Sequence, residues 1–106
     1  MGNLGEWVDA GPGVRRKILS VGRGVMNMVV EFAEGAVGAE HAHPQEQLTY
    51  VLEGEFEFRV DGRTLVVRKG DSLYIPSGAT HGVRALSAGV LLDTFAPVRE
   101  DLLGHC

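Results

Sequence analysis

The chain has 106 residues with 10 basic and 14 acidic side chains, which gives a formal net charge of −4 when histidine is neutral. This length suits one domain, and a charged fraction of 23% is typical of a soluble globular protein rather than a disordered one. The one dense basic run consists of Arg15, Arg16 and Lys17. We interpret this run as the solvated start of a strand, and the mildly acidic chain is not expected to bind nucleic acid.

The sequence contains no segment that predicts membrane contact or export. No apolar stretch approaches the roughly 20 residues of a membrane helix, and no signal peptide is recognisable. The single cysteine, Cys106, excludes an internal disulfide and is expected to be an inert thiol. These features predict a cytoplasmic protein.

Short runs rich in β-branched and aromatic residues, separated by 15 glycines, extend along the chain. Phe56, Phe58 and Val60 alternate with charged residues, which is typical of a half-buried strand. Asp61 and Gly62 then predict a tight hairpin turn. Close spacing of such runs indicates an all-β sandwich or barrel. The predicted strands are 25–33, 47–53, 55–60, 64–68, 72–75, 82–86 and 89–95.

The other segments complete a single-domain organisation. Residues 1–13, with four glycines and a proline, are predicted to form a flexible N-terminal arm. The barrel domain is predicted to cover 14–103, with one helical turn near 98–103, and a short tail to cover 104–106.

His41 and His43 are the first residues with evident metal chemistry. In an extended strand, side chains two residues apart point to the same face, so both imidazoles can converge on one ion. Such a pair alone is also compatible with a surface or structural role. His81 follows a proline- and glycine-containing loop and adds a third imidazole, whereas the fourth histidine, His105, belongs to the predicted tail. Three histidines in two segments favour a metal site.

The spacing of these residues resembles the two motifs of the cupin superfamily. The first motif is matched by Gly35, His41, His43, Gln47 and Gly54, and the second by Gly70, Pro76, Gly78 and His81. Glutamine replaces the usual glutamate, and Ala85 replaces the usual asparagine. The resemblance implies a double-stranded β-helix, the jelly-roll barrel of cupins. It also implies one divalent transition metal ion per chain (Zn, Ni, Fe, Mn or Co), with ligands His41, His43, Gln47 and His81.

Gln47 changes the charge of the implied metal site. Three neutral imidazoles and a neutral amide leave the double charge of the ion uncompensated. We therefore expect attraction of anionic substrate groups and Lewis-acid chemistry rather than oxygen activation. The alternative is that Gln47 is a hydrogen-bonding amide in the cavity that does not contact the ion.

Asp93, Phe95 and Arg99 form the last group. Asp93 interrupts an apolar strand and shares a face with Phe95, while Arg99 follows a proline. A surface interaction of Asp93 with Arg99 or Thr94 is the alternative interpretation. Together with the histidine motifs, this pattern resembles the KdgF family of pectin degradation proteins over about 35–103. That resemblance implies that Asp93, Phe95 and Arg99 act beside the metal. In the function it implies, Asp93 is the general acid–base group, Arg99 holds the substrate carboxylate through two parallel hydrogen bonds, and Phe95 packs on the sugar ring.

The same resemblance implies a function, the ring opening of 4,5-unsaturated monouronates, with a small carboxylated sugar as substrate. Two other functions stay open: a non-catalytic cupin that binds a small anion or sugar, and a metal-dependent oxygenase or polyketide cyclase. We also expect a homodimer in which residues 18–30 lie against the partner barrel. This expectation comes from Val25, Met28 and Val30, which do not alternate strictly with polar residues.

Overall fold

The computed structural model describes residues 4–103, so the predicted tail with His105 and Cys106 lies outside the described residues. Within 4–103 the chain forms strands and a short 3₁₀ helix, Glu100–Leu102. The strands are β1 (Trp7–Asp9), β2 (Val14–Val21), β3 (Met26–Phe32), β4 (Val37–His41), β5 (Glu46–Glu53), β6 (Glu55–Val60), β7 (Arg63–Arg68), β8 (Ser72–Ile75), β9 (His81–Ala85) and β10 (Gly89–Ala96). No helix in this part of the chain has the length and apolar character needed to cross a membrane.

The strands form two antiparallel sheets, which confirms the predicted all-β fold. The larger sheet has the order β1-β2-β3-β10-β5-β8, and the smaller has the order β4-β9-β6-β7. Each predicted strand is present, with ends shifted by at most one residue. Strands β1 and β4 are additional, and the sequence predicts only the start of β2, at 15–17, because these segments lack a sustained alternation of apolar and polar residues.

The hydrophobic core lies between the two sheets and is built from alternate residues of their strands. In β3 and β10 every second side chain is buried, as a period of two requires. Phe32 of the larger sheet packs edge-on against Phe56 of the smaller one, with ring centroids 5.2 Å apart. This apolar packing holds the sheets together and leaves the remaining interior for polar side chains.

The basic run at the start of β2 is divided between the two faces of the sheet. The ring of Trp7 on β1 lies 4.1 Å from the guanidinium carbon of Arg15 and 4.8 Å from the ammonium of Lys17. Strand β1 itself lies within the segment predicted as a flexible arm and pairs with β2. Arg16 points to the opposite, inner face and is half-buried. The interpretation of a wholly solvated run is therefore wrong for Arg16.

Two glycines adopt the same left-handed backbone conformation in different surroundings. Gly62, with φ of 81°, forms the predicted β6–β7 turn together with Asp61, and a Cβ atom there would meet nothing within 4 Å. Gly54, with φ of 86°, separates β5 from β6. A Cβ atom on Gly54 would lie 2.5 Å from the carbonyl oxygen of Ala88 and 2.7 Å from the Cα atom of Gly89.

We expect Gly54→Ala to reduce the free energy of unfolding by more than Gly62→Ala. The Gly62 variant carries only the left-handed backbone penalty, about 1–2 kcal/mol. The Gly54 variant must also displace backbone atoms at the start of β10. Denaturant unfolding of both variants measures the difference. Equal losses would contradict the tight backbone approach at Gly54.

The homodimer stays a prediction, but Met28 and Val30 do not face a partner, because both are buried in this chain's own core. The outer face of the larger sheet exposes neighbouring apolar side chains, among them Leu48, Tyr50 and Tyr74, which are 54%, 43% and 52% exposed. Leu48 and Tyr74 are direct cross-strand partners, so they form one patch. Light scattering should give about twice the chain mass of 11.4 kDa. The chain mass itself, measured across micromolar concentrations, would contradict the dimer.

Candidate functional site

A cavity of about 350 Å³ lies between the two sheets. Apolar side chains such as Val30, Phe58 and Leu91 form much of its wall. Six of the seven predicted site residues line it: His41, Gln47, His81, Asp93, Phe95 and Arg99. An apolar wall with a few convergent polar groups is typical of a small-molecule site. A larger groove of about 740 Å³, along the β1–β2 turn, contains none of the predicted residues.

The three histidines of the motifs lie together, and two of them, His41 and His81, line this cavity. His41 ends β4 and is the cross-strand partner of His81, which begins β9. His43 follows two residues later, and its ring centroid lies 5.4 Å from that of His41 and 4.9 Å from that of His81. One nitrogen from each ring lies within 4.8 Å of the other two, so the group can hold a metal ion.

Main-chain hydrogen bonds determine which nitrogen each ring presents to the cavity. Because a carbonyl oxygen only accepts, Nδ1 carries the hydrogen in all three rings, and Nε2 presents a lone pair. In each ring Nδ1 donates to the carbonyl two residues away: His41 to Ala39 at 3.0 Å, His43 to Gln45 at 3.1 Å and His81 to Ala79 at 2.9 Å.

Burial favours the neutral form of His43 and His81, the two buried histidines of the cluster. Loss of water around the rings is the largest cause that lowers the pKa of His43 and of His81. The positive charge of Arg99 lowers both pKa values further. A metal ligand must be unprotonated, so these shifts favour metal binding over proton binding at neutral pH.

Gln47 connects the histidines to Asp93 through a chain of hydrogen bonds. The hydroxyl group of Thr49 donates to Oδ1 of Asp93 at 2.7 Å. Its oxygen then accepts from Nε2 of Gln47 at 2.9 Å. This arrangement turns Oε1 of Gln47 towards His43, where it lies 3.1 Å from Nε2 of the ring.

The contact between Gln47 and His43 is a test of whether these residues suit a metal ion. Both facing atoms are acceptors, since the ring hydrogen of His43 is on Nδ1. Two lone pairs at this distance repel each other unless a cation is shared between them. Three imidazole nitrogens and an amide oxygen are donors that divalent transition ions accept. The donor set therefore fits the ion that the cupin motifs imply.

Asp93 is buried on β10 and points into the cavity. Burial raises its pKa to about 6, although hydrogen bonds from Thr49 and Gln47 act in the opposite direction. Strand pairing explains the neighbours, because Thr49 lies opposite Asp93 and Gln47 lies opposite Phe95. The bond to Thr49 in the interior replaces the surface interaction considered as the alternative for Asp93.

Arg99 follows β10 and lines the cavity. Its guanidinium carbon lies 5.2 Å from the ring centroid of Phe95, and its side chain is only 12% exposed. Asp101 accepts from Nη2 at 2.7 Å and from Nε at 3.4 Å. Two donors of Arg99 are therefore engaged within the chain, and Arg99 lowers the pKa of Asp101.

Arg16 is a cavity residue that the sequence interpretation missed. It lines the same cavity, and its Nη1 is buried with no hydrogen-bond partner among residues 4–103. The available signal was the alternation of Val14, Arg16 and Ile18, which places all three on one face. The flanking basic residues concealed that signal.

Comparison with known proteins agrees with this geometry. Residues 28–95 match the family model described as a cupin domain. The chain is 38% identical over 99 residues to the pectin degradation protein KdgF of Dickeya dadantii, covering 92% of this chain and 90% of that protein.

Two solved structures extend the similarity to three dimensions. KdgF from a Halomonas species has a TM-score of 0.88 at 36% identity, covering 92% of this chain and 91% of that chain. An RmlC-like cupin from Shewanella frigidimarina has a TM-score of 0.87 at 40% identity, covering 95% and 91%. The resemblance carried by the histidine motifs is thus confirmed: the chain belongs to the cupin domain family, where its relatives include KdgF.

Proposed function

We propose that the protein opens the ring of 4,5-unsaturated monouronates derived from pectin or alginate. The observation that carries this proposal is the position of Asp93. Its carboxyl group, with a pKa raised to about 6, lines the same cavity as His41 and His81 of the histidine cluster. The similarity to a pectin degradation protein supports the substrate class.

The reaction is an isomerisation that needs only the movement of protons. The anomeric hydroxyl loses a proton as the bond between the anomeric carbon and the ring oxygen breaks. The anomeric carbon becomes an aldehyde, and the ring oxygen, which is attached to the carbon–carbon double bond, becomes an enolate. A proton added to the far carbon of that double bond gives the open-chain keto product. One acid–base group can take the first proton and return one to the carbon.

Asp93 is the residue to which we assign this proton transfer. A carboxyl group with a pKa near 6 accepts and releases protons readily close to neutral pH. Thr49 holds Oδ1 of Asp93 in place by hydrogen bonding. Phe95 presents an apolar ring to the cavity against which the sugar can pack, and Arg99 adds positive charge to the cavity wall.

The metal would be held by His41, His43 and His81, with Oε1 of Gln47 as the fourth donor. A divalent ion bound there supplies Lewis-acid polarisation of a substrate oxygen. All four donors are neutral, so they cancel none of the ion's positive charge. The site therefore favours a substrate that carries a carboxylate.

Replacement of Asp93 by asparagine should abolish most of the activity without unfolding the protein. We expect Asp93→Asn to reduce the rate of loss of the unsaturated chromophore about 10²–10⁴-fold, the usual contribution of a general acid–base group. Asp9→Asn, an exposed change on β1, serves as the matched control and should leave the rate unchanged. Equal rates for Asp93→Asn and the wild type would remove Asp93 from the mechanism.

The pKa of Asp93 also predicts how stability should respond. In the metal-free protein, burial raises the pKa of Asp93 from 3.8 to about 6. Ionisation of this carboxyl group therefore lowers the stability of the folded state as pH rises through that range. Asp93→Asn lacks this cost, so its Tm at pH 8 should equal or exceed that of the wild type.

If the wild type binds the substrate but returns it unchanged, the protein is a binding cupin and ring opening is excluded.

Purified protein should contain close to one divalent ion per chain. Elemental analysis should show that the His41→Ala/His43→Ala double variant loses this ion. His105→Ala, which changes the histidine outside both motifs, should retain it. Acidification below roughly pH 6 should release the ion because protons compete for the ring nitrogens. The ion should also raise Tm, since it binds only the folded state. Equal metal content in the double variant and the wild type would contradict the site.

A further inference from the structure

We propose that Arg16 binds the carboxylate of the substrate and thereby selects uronates over neutral sugars of the same shape. This inference rests on the proposed ring opening and supplies its anion-binding residue. It extends the site to β2, a strand that carries none of the residues assigned above.

The sheet register places Arg16 on the same inner face as Asp93, with β3 between their two strands. Arg16 pairs with Val30 of β3, which in turn pairs with Leu91 of β10. Asp93 lies two residues along β10 from Leu91 and faces the same interior. The side chains of Arg16 and Asp93 accordingly line one cavity from neighbouring rows of the same sheet.

Arg16 has hydrogen-bonding capacity that the fold does not use. Its Nη1 is buried and lacks a partner within the described part of the chain, residues 4–103. A buried donor on a charged group is unfavourable until something accepts its hydrogen bond. Arg15, one residue earlier, lies on the outer face, stacks on Trp7 and pairs with Glu31 at 2.7 Å. A cavity-facing guanidinium with unused donors is suited to a ligand that enters the cavity.

The acidic groups near Arg16 are already engaged elsewhere. Asp101, whose negative charge acts to raise the pKa of Arg16, accepts from Arg99. Asp93 accepts from Thr49. Burial is the main cause that lowers the pKa of Arg16, and the positive charge of Arg99 adds to it. Two cationic side chains thus line the cavity, and an anion entering it would be attracted by both.

Arg16 is better placed than Arg99 to make the direct contact. Nε and Nη2 of Arg99 both donate to Asp101, so Arg99 contributes positive charge without these two donors being available to a ligand. A guanidinium group can donate two parallel hydrogen bonds to a carboxylate, and this geometry distinguishes a carboxylate from a hydroxymethyl group. The ligand class is therefore a monosaccharide with a carboxylate on the ring.

Kinetics on the unsaturated monouronate test this role, with the metal-loaded wild type, Arg16→Met and the matched control Arg15→Met. Carboxylate binding persists from ground state to transition state, so its loss should raise KM and leave kcat nearly unchanged. We expect KM to rise about 10–100-fold for Arg16→Met, the usual effect of losing a charge-assisted hydrogen bond. Arg15→Met should behave as the wild type. A KM for Arg16→Met equal to that of Arg15→Met would overturn the proposal.

Binding of unreactive sugars gives a second readout that does not depend on turnover. By calorimetry, the wild type and Arg15→Met should bind galacturonate more tightly than galactose, and Arg16→Met should lose this preference. The metal-free Arg16→Met protein should melt no lower than the wild type, because the change removes an unsatisfied buried donor. Should it fail to fold, Arg16→Lys replaces it: a several-fold rise in KM is expected, and an unchanged KM overturns the proposal.

These readouts separate the role of Arg16 from the proposed reaction. If the wild type does not consume the monouronate but binds galacturonate through Arg16, the carboxylate site is supported and the ring-opening proposal fails. If the wild type consumes the monouronate and Arg16→Met keeps its KM and its galacturonate preference, the Arg16 proposal alone fails. If the wild type neither turns over the monouronate nor prefers galacturonate to galactose, both fail.

Discussion

The hydrogen bond from Nδ1 of each clustered histidine to a main-chain carbonyl is the interaction on which the cavity's chemistry depends. Because the strand ends and loops hold both partners, the bond sets the tautomer and the direction of each ring together. Three Nε2 lone pairs are thereby directed at one another, and burial favours the neutral form of His43 and His81. Such an arrangement would be unfavourable in a merely polar pocket, and a shared cation makes it favourable.

Strand pairing links the histidine cluster to Asp93, the residue proposed to transfer protons. Gln47 and Thr49 lie on one face of β5, opposite Phe95 and Asp93 of β10. The amide of Gln47 therefore meets the histidines with its oxygen and Thr49 with its nitrogen. The same hydrogen-bond chain ends on Asp93, so the proposed metal ligands and the proposed acid–base group share one network. A substitution at His43 or at Asp93 would therefore alter the hydrogen bonding at the other residue.

The electrostatic character of the cavity follows from which charges it leaves uncompensated. The cavity is lined by a neutral ligand set, by Arg16, by Arg99 in its pair with Asp101, and by a single buried carboxyl group whose pKa is already raised by burial. Gln47, in place of the usual glutamate, also removes one negative charge from the cavity. The cavity is accordingly suited to anionic ligands.

The sequence alone determined the strands with period-two alternation, the glycine turns and the spacing of His41, His43 and His81, because these are local properties of an extended chain. Only the tertiary structure decided the rest. The bond from Thr49 to Asp93 joins residues 44 positions apart, and the raised pKa of Asp93 depends on burial between two sheets. The inward direction of Arg16 likewise depends on which face of β2 meets the core. Strand register and burial arise from non-local pairing, so a local pattern such as Val14 and Ile18 beside Arg16 indicates a shared face but does not specify what that face packs against.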